Sequence, residues 1–295
     1  MNKRAAAIGT FDGVHSGHRV VLKLLKEKAL ENGLEPVVFT FSNHPLFVIN
    51  PEKMPKSLTD IEEKCNLLIN EGVAPLILDF DRNLQSMSAE EMLVSLHNEE
   101  NVELLVLGYD NKFGCDGKNL SRTDYVKLGE KTGIKVIIAN ELKGISSSAI
   151  RQSVSEGDMK KTREMLGRPF SISGEVTEGN KIGRKIGFPT ANIKIPNNTV
   201  MPKPGVYAGT VVAEGIFNPA LINIGVRPTV SNDNKPIIEA HLIDWTGNLY
   251  GKIIKVVFLK RLRDEKKFNS IEELKQQIIS DKQDMIGISG SFSRQ

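Results

Sequence analysis

The sequence predicts an α/β domain with a doubly wound parallel sheet, followed by a small antiparallel β-barrel and a C-terminal helix. Three observations support this fold class. The 295 residues suffice for about two domains. The first half alternates apolar strand patterns with helical patterns, whereas the second half has short strands separated only by turns. The composition, 40% hydrophobic and 25% charged, is typical of globular proteins and excludes a wholly disordered chain.

Five near-continuous apolar runs in the first half predict strands that are buried on both faces of a sheet. These runs are 4–9, 36–41, 75–80, 104–109 and 134–139. Strands that alternate with helices imply right-handed crossovers and a parallel sheet, whose ligands bind beyond the carboxyl ends of the strands. We therefore expect the loops after Gly9, Phe41 and Tyr109 to lie together.

The helices between these strands have recognisable ends. Thr59 with Glu62, and Ser88 with Glu91, have the spacing of capping boxes, in which a hydroxyl and a carboxylate bind each other's backbone N–H. Gly33 is typical of the left-handed residue that ends a helix. These signals predict three helix termini.

The second half begins after a predicted linker. A polar helical stretch from Ser155 to Leu166 leads through Gly167-Arg168-Pro169 into strand-like runs. These runs are 171–176, 191–195, 206–212, 220–224, 237–243 and 252–259. The turns between them leave no room for crossover helices, so the pattern indicates an antiparallel barrel or sandwich.

The C-terminal helix is predicted to begin at Ser270, with Glu273 completing a third capping box, and to end near Ile286. A Gly/Ser-rich tail from Gly287 to Gln295 is predicted to be disordered. The predicted domains are therefore 1–155 and 169–287, with a linker helix at 156–168 and a tail at 288–295.

Charge, apolar runs and cysteines exclude several classes. The net charge of +3 is weak for a nucleic-acid-binding protein. No run approaches the ~18 apolar residues of a membrane span, and the N-terminus lacks the apolar core of a signal peptide. Cys65 and Cys115 form no CxxC motif, which argues against a cysteine zinc site or a redox pair. We expect a cytoplasmic protein with no nucleic-acid or membrane partner.

The glycine spacing excludes three common nucleotide-binding motifs. No two of the 25 glycines are separated by a single residue, so neither a dinucleotide-binding GxGxxG nor a protein-kinase glycine loop is present. The closest approach to a GxxxxGK[ST] P-loop has Asn180 between Gly179 and Lys181. Any nucleotide must be bound by other motifs.

The loop after the first strand carries two histidines. It reads GTFDGVHSGH over residues 9–18 and opens into a predicted helix, so that His15 and His18 share one helix face. Free N–H groups at a helix N-terminus favour phosphate, and imidazoles there can donate hydrogen bonds to its oxygens. The alternative is a pair of surface or zinc-binding histidines, but the glutamate of an HExxH motif is missing.

A second polyphosphate-binding candidate follows the last strand of the first half. The run ISSSAIR, residues 145–151, places hydroxyls and the Arg151 guanidinium at a helix start. Alone, this run could be a simple N-cap.

The second half contains a glycine-rich turn followed by neutral oxygen ligands. Residues 174–179 (GEVTEG) lead to residues 183–192 (GRKIGFPTAN). On an extended segment Thr190 and Asn192 point to one side, and their oxygens suit a hard cation such as the Mg²⁺ that accompanies ATP. Ordinary strand and turn composition is the alternative for this pattern alone.

Together, the His-x-x-His and SSSxIR motifs resemble the signature of the HxGH nucleotidyltransferase superfamily. With residues 40–45 (TFSNHP) and 108–114 (GYDNKFG), the first half resembles the adenylyltransferase half of bacterial FAD synthetases. That family commonly has proline where this chain has Asn43 and phenylalanine where it has Asn111. The resemblance implies transfer of an adenylyl group from ATP to FMN, which yields FAD and pyrophosphate.

The second half resembles riboflavin kinases through the PTAN run at residues 189–192. Further matches lie at 204–207, 223–229, 239–242, 249–251, 258–259 and 262–268. In that family this half is a small Greek-key barrel that phosphorylates riboflavin to FMN with MgATP. The whole chain thus resembles bifunctional enzymes that make FMN and then FAD; a relative with one active half, or a flavin-binding regulatory protein, are the alternatives.

The resemblance implies roles for particular residues of the first half. His15, His18 and Arg151 would be catalytic, through stabilisation of developing charge and binding of phosphate. Residues that would bind nucleotide are Gly9, Phe11, Gly17, Asp110, Ser147 and Ser148. His44 would contact flavin; alternatively, it orders the turn before Pro45.

In the second half the resemblance makes Glu239 the base that takes the riboflavin hydroxyl proton. Thr190 and Asn192 would hold Mg²⁺, and Gly183 and Gly187 would contact ATP. Arg263, Glu265 and Phe268 would bind flavin. The expected ligands are therefore riboflavin, FMN, FAD and ATP, with Mg²⁺ as the cofactor.

Overall fold

We describe the protein from a computed structural model, which covers residues 2–179, 182–226 and 236–292. The chain folds into two compact units. The first comprises residues 1–55 and 59–147, and the second comprises residues 56–58 and 148–295. The predicted fold class is confirmed, because a parallel α/β sheet is followed by a closed antiparallel barrel and a C-terminal helix.

The first unit is built on a five-stranded parallel sheet. Its strands are β1 (Arg4–Ile8), β2 (Glu35–Phe41), β3 (Ala74–Leu78), β4 (Val102–Leu107) and β5 (Lys135–Ile138). The spatial order is β3-β2-β1-β4-β5, with every neighbouring pair parallel. The order reverses between β1 and β4, and a crevice at such a point is the usual ligand site of an open α/β sheet.

Helices cover both faces of this sheet. They are α1 (Ser16–Asn32), α2 (Leu46–Ile49), α3 (Ile61–Asn70), α4 (Arg82–Ser86), α5 (Ala89–Asn98), α6 (Arg122–Thr132) and the first residue of α7 (Ser147–Glu156). Because side chains alternate along a strand, Ala5 and Ala7 of β1 pack with α1 and α3, whereas Ala6 and Ile8 pack with α5 and α6. This arrangement is the predicted double winding.

One predicted strand property is wrong. The apolar run around β3 predicted burial on both faces, yet Ala74 is exposed and Ile77 is 52% exposed. The reason is that β3 lies at the edge of the sheet and pairs with β2 alone. An apolar run therefore does not distinguish an edge strand from a central one.

The predicted helix ends are confirmed in part. Gly33 ends α1 in the left-handed conformation with φ 64°, and Ser88 forms the full capping box with Glu91 on α5. The box predicted for Thr59 is wrong, because Asp60 caps α3 and accepts from the backbone N–H of Glu63 at 2.7 Å. The Thr59 side chain has a different role, described below.

The second unit is a closed six-stranded antiparallel barrel. Its strands are β6 (Phe170–Thr177), β7 (Ala191–Lys194), β8 (Gly205–Ala213), β9 (Ile216–Val226), β10 (Pro236–Leu242) and β11 (Ile253–Arg263), in the order β10-β7-β6-β11-β8-β9. Pairing of β9 with β10 closes the barrel. All six predicted strands are present, and closure removes the open edges of the sheet.

Three further helices belong to this unit: α8 (Met159–Leu166), α9 (Ile182–Lys185) and α10 (Ile271–Phe292). The predicted single helix from Ser155 to Leu166 is wrong, because Gly157 adopts φ 78° and Asp158 starts α8 as its N-cap. Glycine reaches this left-handed conformation without steric cost, so the chain can end one helix and begin another.

The C-terminal helix packs on the barrel through Ile278 and Met285, which contact Ala208 and Leu221. Ser270 accepts from the backbone N–H of Glu273, as predicted, but the Glu273 carboxylate accepts from Asn269 rather than from Ser270. Helix α10 continues to Phe292, so the predicted end near Ile286 is six residues too early. The glycines that suggested a tail weaken a helix without preventing it. Residues 293–295 lie outside the described part.

Candidate active sites

The β1–α1 loop is a tightly folded segment beyond the carboxyl end of β1. Phe11 and Val14 have positive φ angles of 44° and 37°, which residues other than glycine rarely adopt, and both are buried. Strained loops of this kind occur mainly at functional sites. Gly17 lies close to the His15 ring, since a Cβ there would be 3.1 Å from it, so a larger residue would press on that ring.

His15 and His18 form a reciprocal cap at the start of α1. The backbone N–H of His15 donates to Nδ1 of His18, and the backbone N–H of His18 donates to Nδ1 of His15, each at 3.3 Å. The two rings stack with centroids 3.6 Å apart. Because each Nδ1 accepts a hydrogen bond, each neutral ring carries its proton on Nε2. The pair therefore supplies two Nε2–H donors at a helix N-terminus.

The surroundings of this pair disfavour its protonation. The pKa of His18 lies well below its usual value, first because burial desolvates the ring and then because His15 and Lys64 add positive potential. Burial also lowers the pKa of Lys64, although the neighbouring Asp12 carboxylate opposes that change. The sequence did not single out Lys64; its signal is that it lies four residues before Leu68, on the buried face of α3.

Asp12 and Thr59, also missed from the sequence, hold the loop in place. Oδ1 of Asp12 accepts from the backbone N–H and the hydroxyl of Thr59 at 3.1 and 3.3 Å, and the Thr59 hydroxyl oxygen accepts from Gly13 N–H at 3.1 Å. The Ser147 hydroxyl donates to the Asp12 carbonyl at 3.2 Å. The structure thus brings Ser147 to the histidine loop, as the predicted phosphate site requires.

Ser148 and Arg151 belong to the second unit. Ser148 is exposed on α7, and Nε of Arg151 donates to the Lys56 carbonyl at 2.6 Å. Their predicted contact with phosphate stays a prediction.

The other predicted nucleotide and flavin positions lie after β2 and β4. Nδ1 of His44 accepts from the backbone N–H of Leu46 at 3.1 Å, so His44 orders the turn at Pro45. This contact is the one expected from the alternative interpretation of His44, and its flavin contact stays a prediction. Asp110 is exposed in the loop after β4. It precedes Asn111, whose side chain lies close to Gly9.

The two departures from the family pattern make internal contacts. Nδ2 of Asn111 donates to the Ile8 carbonyl and so ties the loop after β4 to β1. Nδ2 of Asn43 donates to the Phe80 carbonyl, and Oδ1 of Asn43 accepts from the Phe80 N–H, both at 3.1 Å. Both asparagines therefore fix loops at the carboxyl edge of the sheet.

The second unit places its candidate base between two amides. Glu239 on β10 is the register partner of Asn192 on β7 and of Asn223 on β9. Directly opposed residues of antiparallel strands have Cβ atoms about 5 Å apart, so these three side chains are neighbours. Asn223, which lies in a matched run but had no predicted role, is thereby added to the site.

The segment that carries Thr190 and Asn192 is held by close glycine contacts. A Cβ at Gly179 would lie 2.2 Å from Nδ2 of Asn192, and a Cβ at Gly183 would lie 2.3 Å from the Phe188 carbonyl oxygen. Neither position admits a side chain, so the glycine-rich turn closes against Asn192. Gly187 adopts φ 89°, with open space around it.

A cavity of about 370 Å³ opens beside Thr190. Its walls include Arg184, Leu242, Trp245 and Tyr250. Polar and apolar groups share this surface about equally, and such a mixed pocket suits a polar aromatic heterocycle such as a nucleotide base. Trp245 is the only tryptophan of the chain, and the sequence did not indicate its place in the site.

The donor set around this cavity fits a magnesium ion. The Thr190 hydroxyl and the Asn192 amide offer the oxygen ligands that Mg²⁺ prefers, and the Glu239 carboxylate lies beside them. Asn192 is only 9% exposed, and Gly179 lies close to its side-chain amide. Within the described residues no group of three or more His, Cys, Asp and Glu side chains could hold a metal.

His241 positions this segment. Its Nδ1–H donates to the Pro189 carbonyl at 2.8 Å, and its ring meets Phe188 edge to face with centroids 5.5 Å apart. Since Glu239 and His241 are two residues apart on β10, they share one face of the strand. The contact therefore ties the Thr190 segment to the strand of the candidate base.

The predicted flavin residues lie at the end of β11. Arg263 donates through Nε and Nη2 to the buried Asp281 carboxylate of α10, with a shortest distance of 2.7 Å, and its guanidinium lies 6.0 Å from the Phe268 ring centroid. A Cβ at Gly225 would lie 2.6 Å from Oε1 of Glu265. Glu265 therefore lies close to β9, near Asn223. Arg227, Pro228 and Thr229 of the matched motif lie outside the described residues.

Comparisons with known proteins cover both units. The FAD synthetase family matches residues 1–153 and the riboflavin kinase family matches residues 166–288. In the described residues no helix has the length and apolar character of a membrane span.

Curated relatives extend over nearly the full chain. The bifunctional riboflavin kinase/FMN adenylyltransferase of Bacillus subtilis (strain 168) is 38% identical over 290 residues, which cover 96% of this chain and 92% of that protein. The protein of that name from Pseudomonas fluorescens is 38% identical over 283 residues, with coverages of 94% and 90%. A solved structure described as a macrolide-efflux protein from Streptococcus pneumoniae has a TM-score of 0.85 and 29% identity, and covers 96% of this chain and 94% of that one.

Both family matches and these identities over almost the entire length agree with the two sites found in the fold. The chain belongs to the family of bifunctional riboflavin kinases/FMN adenylyltransferases, with a FAD synthetase half followed by a riboflavin kinase half.

Proposed function

We propose that the barrel unit phosphorylates riboflavin to FMN with MgATP, and that the α/β unit joins FMN to the AMP part of ATP to give FAD and pyrophosphate. The observation that carries this proposal is the separation of two chemically different sites: a carboxylate between two amides on the barrel, and a pair of neutral imidazole donors on the sheet. The first suits activation of a hydroxyl, and the second suits stabilisation of a phosphate that gains charge.

In the kinase half, Glu239 accepts the proton of the ribityl 5′-hydroxyl as its oxygen attacks the γ-phosphorus of ATP. The new bond is O–P, and the broken bond joins the γ-phosphorus to the β–γ bridging oxygen, so ADP leaves. Asn192 and Asn223, on either side of Glu239, help to orient the hydroxyl for in-line attack. His241 and the glycine contacts hold Thr190 and Asn192 in place.

Thr190 and Asn192 would hold the Mg²⁺ of ATP. The ion would neutralise charge on the transferred phosphoryl group. Gly183 and Gly187 would let the ATP phosphates approach the backbone, and the cavity beside Trp245 would take the adenine. Arg263, Glu265 and Phe268 would contact the flavin at the far end of β11.

In the adenylyltransferase half, a phosphate oxygen of FMN attacks the α-phosphorus of ATP while the bond to the pyrophosphate oxygen breaks. His15 and His18 donate from Nε2 to oxygens whose negative charge rises during this exchange. Ser147, with Ser148 and Arg151, would bind the phosphates. Gly9, Phe11, Gly17 and Asp110 would contact the nucleotide, and His44 would contact the flavin. No covalent enzyme intermediate is needed.

We further propose a cytoplasmic location and the domain boundaries 1–155, 156–168 and 169–287. Cys65 and Cys115 are free cysteines, which suits a reducing compartment.

Two matched substitutions test the assignment of the activities. Glu239→Gln keeps the size of the side chain but removes the base, so riboflavin phosphorylation should fall at least ~100-fold while FAD synthesis from supplied FMN is unchanged. His18→Ala removes one donor, so FAD synthesis should fall ~100-fold or more while riboflavin phosphorylation is unchanged. Chromatography of flavin products after incubation with MgATP measures both.

Fluorescence of the single tryptophan provides a binding control. Since Trp245 lines the kinase cavity, adenine nucleotide should change its fluorescence equally in the wild type and in Glu239→Gln. A folded variant that loses both activities would contradict the two-site assignment. Production of FMN without FAD by the wild type would select a kinase-only relative, and absence of both products would favour a flavin-binding regulatory protein.

A further inference from the structure

Lys64 is a buried lysine that the two reactions above do not use. Its side chain extends from α3 toward the carboxyl edge of the sheet and the residue is only 8% exposed. Removal of an ammonium group from water costs several kcal/mol unless partners compensate, so buried lysines are uncommon in folded proteins. The position of Lys64 therefore calls for a functional explanation.

The ammonium group of Lys64 connects two loops of the candidate site. Nζ donates to the Thr10 carbonyl at 3.2 Å and to the Phe41 carbonyl at 2.8 Å. Thr10 belongs to the loop that leads to the histidine pair, and Phe41 is the last residue of β2, just before the turn that contains His44. Lys64 thus fixes the separation of these two loops.

Charged and titratable groups of the β1–α1 loop and of α3 act on the histidine pair and on Lys64. His18 is influenced by His15 and by Lys64, and Lys64 in turn by Asp12 and by the thiol of Cys65. The Asp12 carboxylate accepts two hydrogen bonds from Thr59, which anchor it on the side of the loop that faces α3. His15 and Lys64 both oppose a positive charge on His18, and Lys64 is the one of the two that stays charged when both imidazoles are neutral.

The reciprocal cap requires both imidazoles to be neutral. Each Nδ1 accepts from a backbone N–H, and a proton on either Nδ1 would place a donor against a donor. That change would break a cap bond at the start of α1 and turn the ring away from its stacked partner. A fixed cation nearby makes the protonated state more costly and so protects the donor arrangement.

We propose that Lys64 is a positioning residue for adenylyl transfer: its ammonium group ties the Thr10 loop to the end of β2 and keeps His15 and His18 as a pair of neutral Nε2–H donors. This inference rests on the adenylyltransferase function proposed for the α/β unit. Lys64 acts through the histidines and the loop backbone.

The first test is the pH profile of FAD synthesis from FMN and MgATP. Lys64→Met removes the charge and both hydrogen bonds at similar length, so the acid limb of kcat/KM should move to higher pH, and kcat at neutral pH should fall at least ~10-fold. Lys64→Arg keeps the charge and should retain the wild-type acid limb. Lys23→Met, an exposed position on α1 with 78% of its side chain accessible, should match the wild type.

Histidine NMR supplies a readout that does not need activity. With ¹⁵N-labelled histidine, the wild type should show Nε2–H tautomers for both His15 and His18, assigned among the five histidines by their loss in the variants His15→Gln and His18→Gln. In Lys64→Met the His18 signals should titrate at higher pH than in the wild type. Riboflavin phosphorylation by the barrel unit, measured on the same samples, should be unchanged and serves as the folding control.

Several results would overturn the inference. One is an Nδ1–H tautomer for either wild-type ring. Another is a lower kcat in Lys64→Met without a shift of the acid limb, because that result would mean that Lys64 has only a structural role. Should Lys64→Met fail to fold, a shifted acid limb in the charge-retaining Lys64→Arg would likewise refute it. Failure of the wild type to make FAD at all would instead contradict the proposed function.

Discussion

At the scale of single residues, the histidine pair links helix formation to chemistry. Each ring uses Nδ1 to satisfy a backbone N–H at the start of α1, a group that a helix cannot satisfy within itself, and keeps its proton on Nε2. Aspartate would cap the helix as well, but its carboxylate carries no hydrogen-bond donor. Residues 15 and 18 must therefore meet two requirements at once, helix capping and phosphate binding. Fewer residue types meet both requirements than meet either one.

The lowered pKa of His18 makes the stability of the α/β unit depend on pH. In the unfolded chain the pKa returns to the usual 6.5, so between the folded pKa and pH 6.5 only the unfolded state binds the proton. We expect the free energy of opening to fall as pH drops below 6.5, by up to about 1.4 kcal/mol per pH unit, and to level off below the folded pKa. Native-state hydrogen exchange of amides in β1 and β4 measures this change.

The control for this dependence is His18→Gln, which cannot take up the proton. Its exchange free energies should vary less with pH over the same window, while those of the barrel amides stay equal in both proteins. Equal slopes for the variant and the wild type would show that other groups cause the dependence.

Sequence reasoning at this scale selects candidates by motif spacing, whose roles stay predictions, and misses residues whose importance depends on burial. His15, His18, Ser147, Thr190 and Asn192 follow from motif spacing, which a sequence shows directly. Lys64 and Asp12 could not be found in this way, because a lysine or aspartate is exposed in most positions and only the folded loop reveals that these two are buried.

At the scale of elements, α10 is attached to the barrel by apolar contacts and by one buried ion pair. The Asp281 side chain is 4% exposed and receives three hydrogen bonds from Arg263, whose side chain is 16% exposed. The same guanidinium donates to the Asp264 carbonyl and lies near Phe268. The pair therefore orders the end of β11 that was predicted to contact flavin.

Removal of Asp281 should destabilise the barrel unit strongly. Asp281→Ala leaves the Arg263 cation buried without its carboxylate, a change that typically costs about 3–5 kcal/mol. We also expect a raised KM for riboflavin, because Arg263 loses its fixed orientation. Thermal unfolding followed by Trp245 fluorescence, which reports on the barrel unit, gives the first quantity, and initial rates give the second.

The neighbouring Lys282 offers a matched control on the same helix. Its Nζ lies 3.7 Å from Oδ1 of Asp244, whose side chain is 89% exposed. An exposed pair of this kind contributes less than about 1 kcal/mol, so Lys282→Ala should leave unfolding and KM nearly unchanged. Similar losses of stability in both variants would mean that any substitution in this part of α10 is destabilising. The ion pair of Arg263 with Asp281 would then contribute no more than the exposed pair.

Element boundaries were predictable where a local signal decides them. Gly33 and the Ser88–Glu91 box act within one turn of helix, and both ends are where the sequence places them. At Gly157 a glycine in the left-handed conformation ends the helix. Past Ile286, α10 continues through glycines that it tolerates. The same residue type thus has opposite outcomes, which composition alone does not separate.

At the scale of the whole molecule, two folds with different topologies carry two different nucleotide chemistries. The parallel sheet and the barrel were both predictable, because room for crossover helices exists in the first half and is missing from the second. His15 and His18 lie at the start of α1 in the first unit, and Glu239 lies on a strand of the second. The two reactions are connected by one compound, FMN, which is the product of one and the substrate of the other.

Mixing two inactive variants should therefore restore the complete pathway. Glu239→Gln makes no FMN, and His18→Ala converts FMN no further, so neither alone should convert riboflavin to FAD. In an equimolar mixture, FMN released by His18→Ala reaches the intact adenylyltransferase site of Glu239→Gln through solution. We expect FAD to appear after a lag in which FMN accumulates, and the rate to rise with the concentration of the mixture.

The double variant Glu239→Gln/His18→Ala is the control for this mixture. It should form neither FMN nor FAD, whereas FMN added to the mixture should abolish the lag. A mixture that accumulates FMN but makes no FAD, although Glu239→Gln alone converts added FMN, would show that FMN is not released in a usable form. The two sites would then have to exchange FMN within one molecule, and their independence would be refuted.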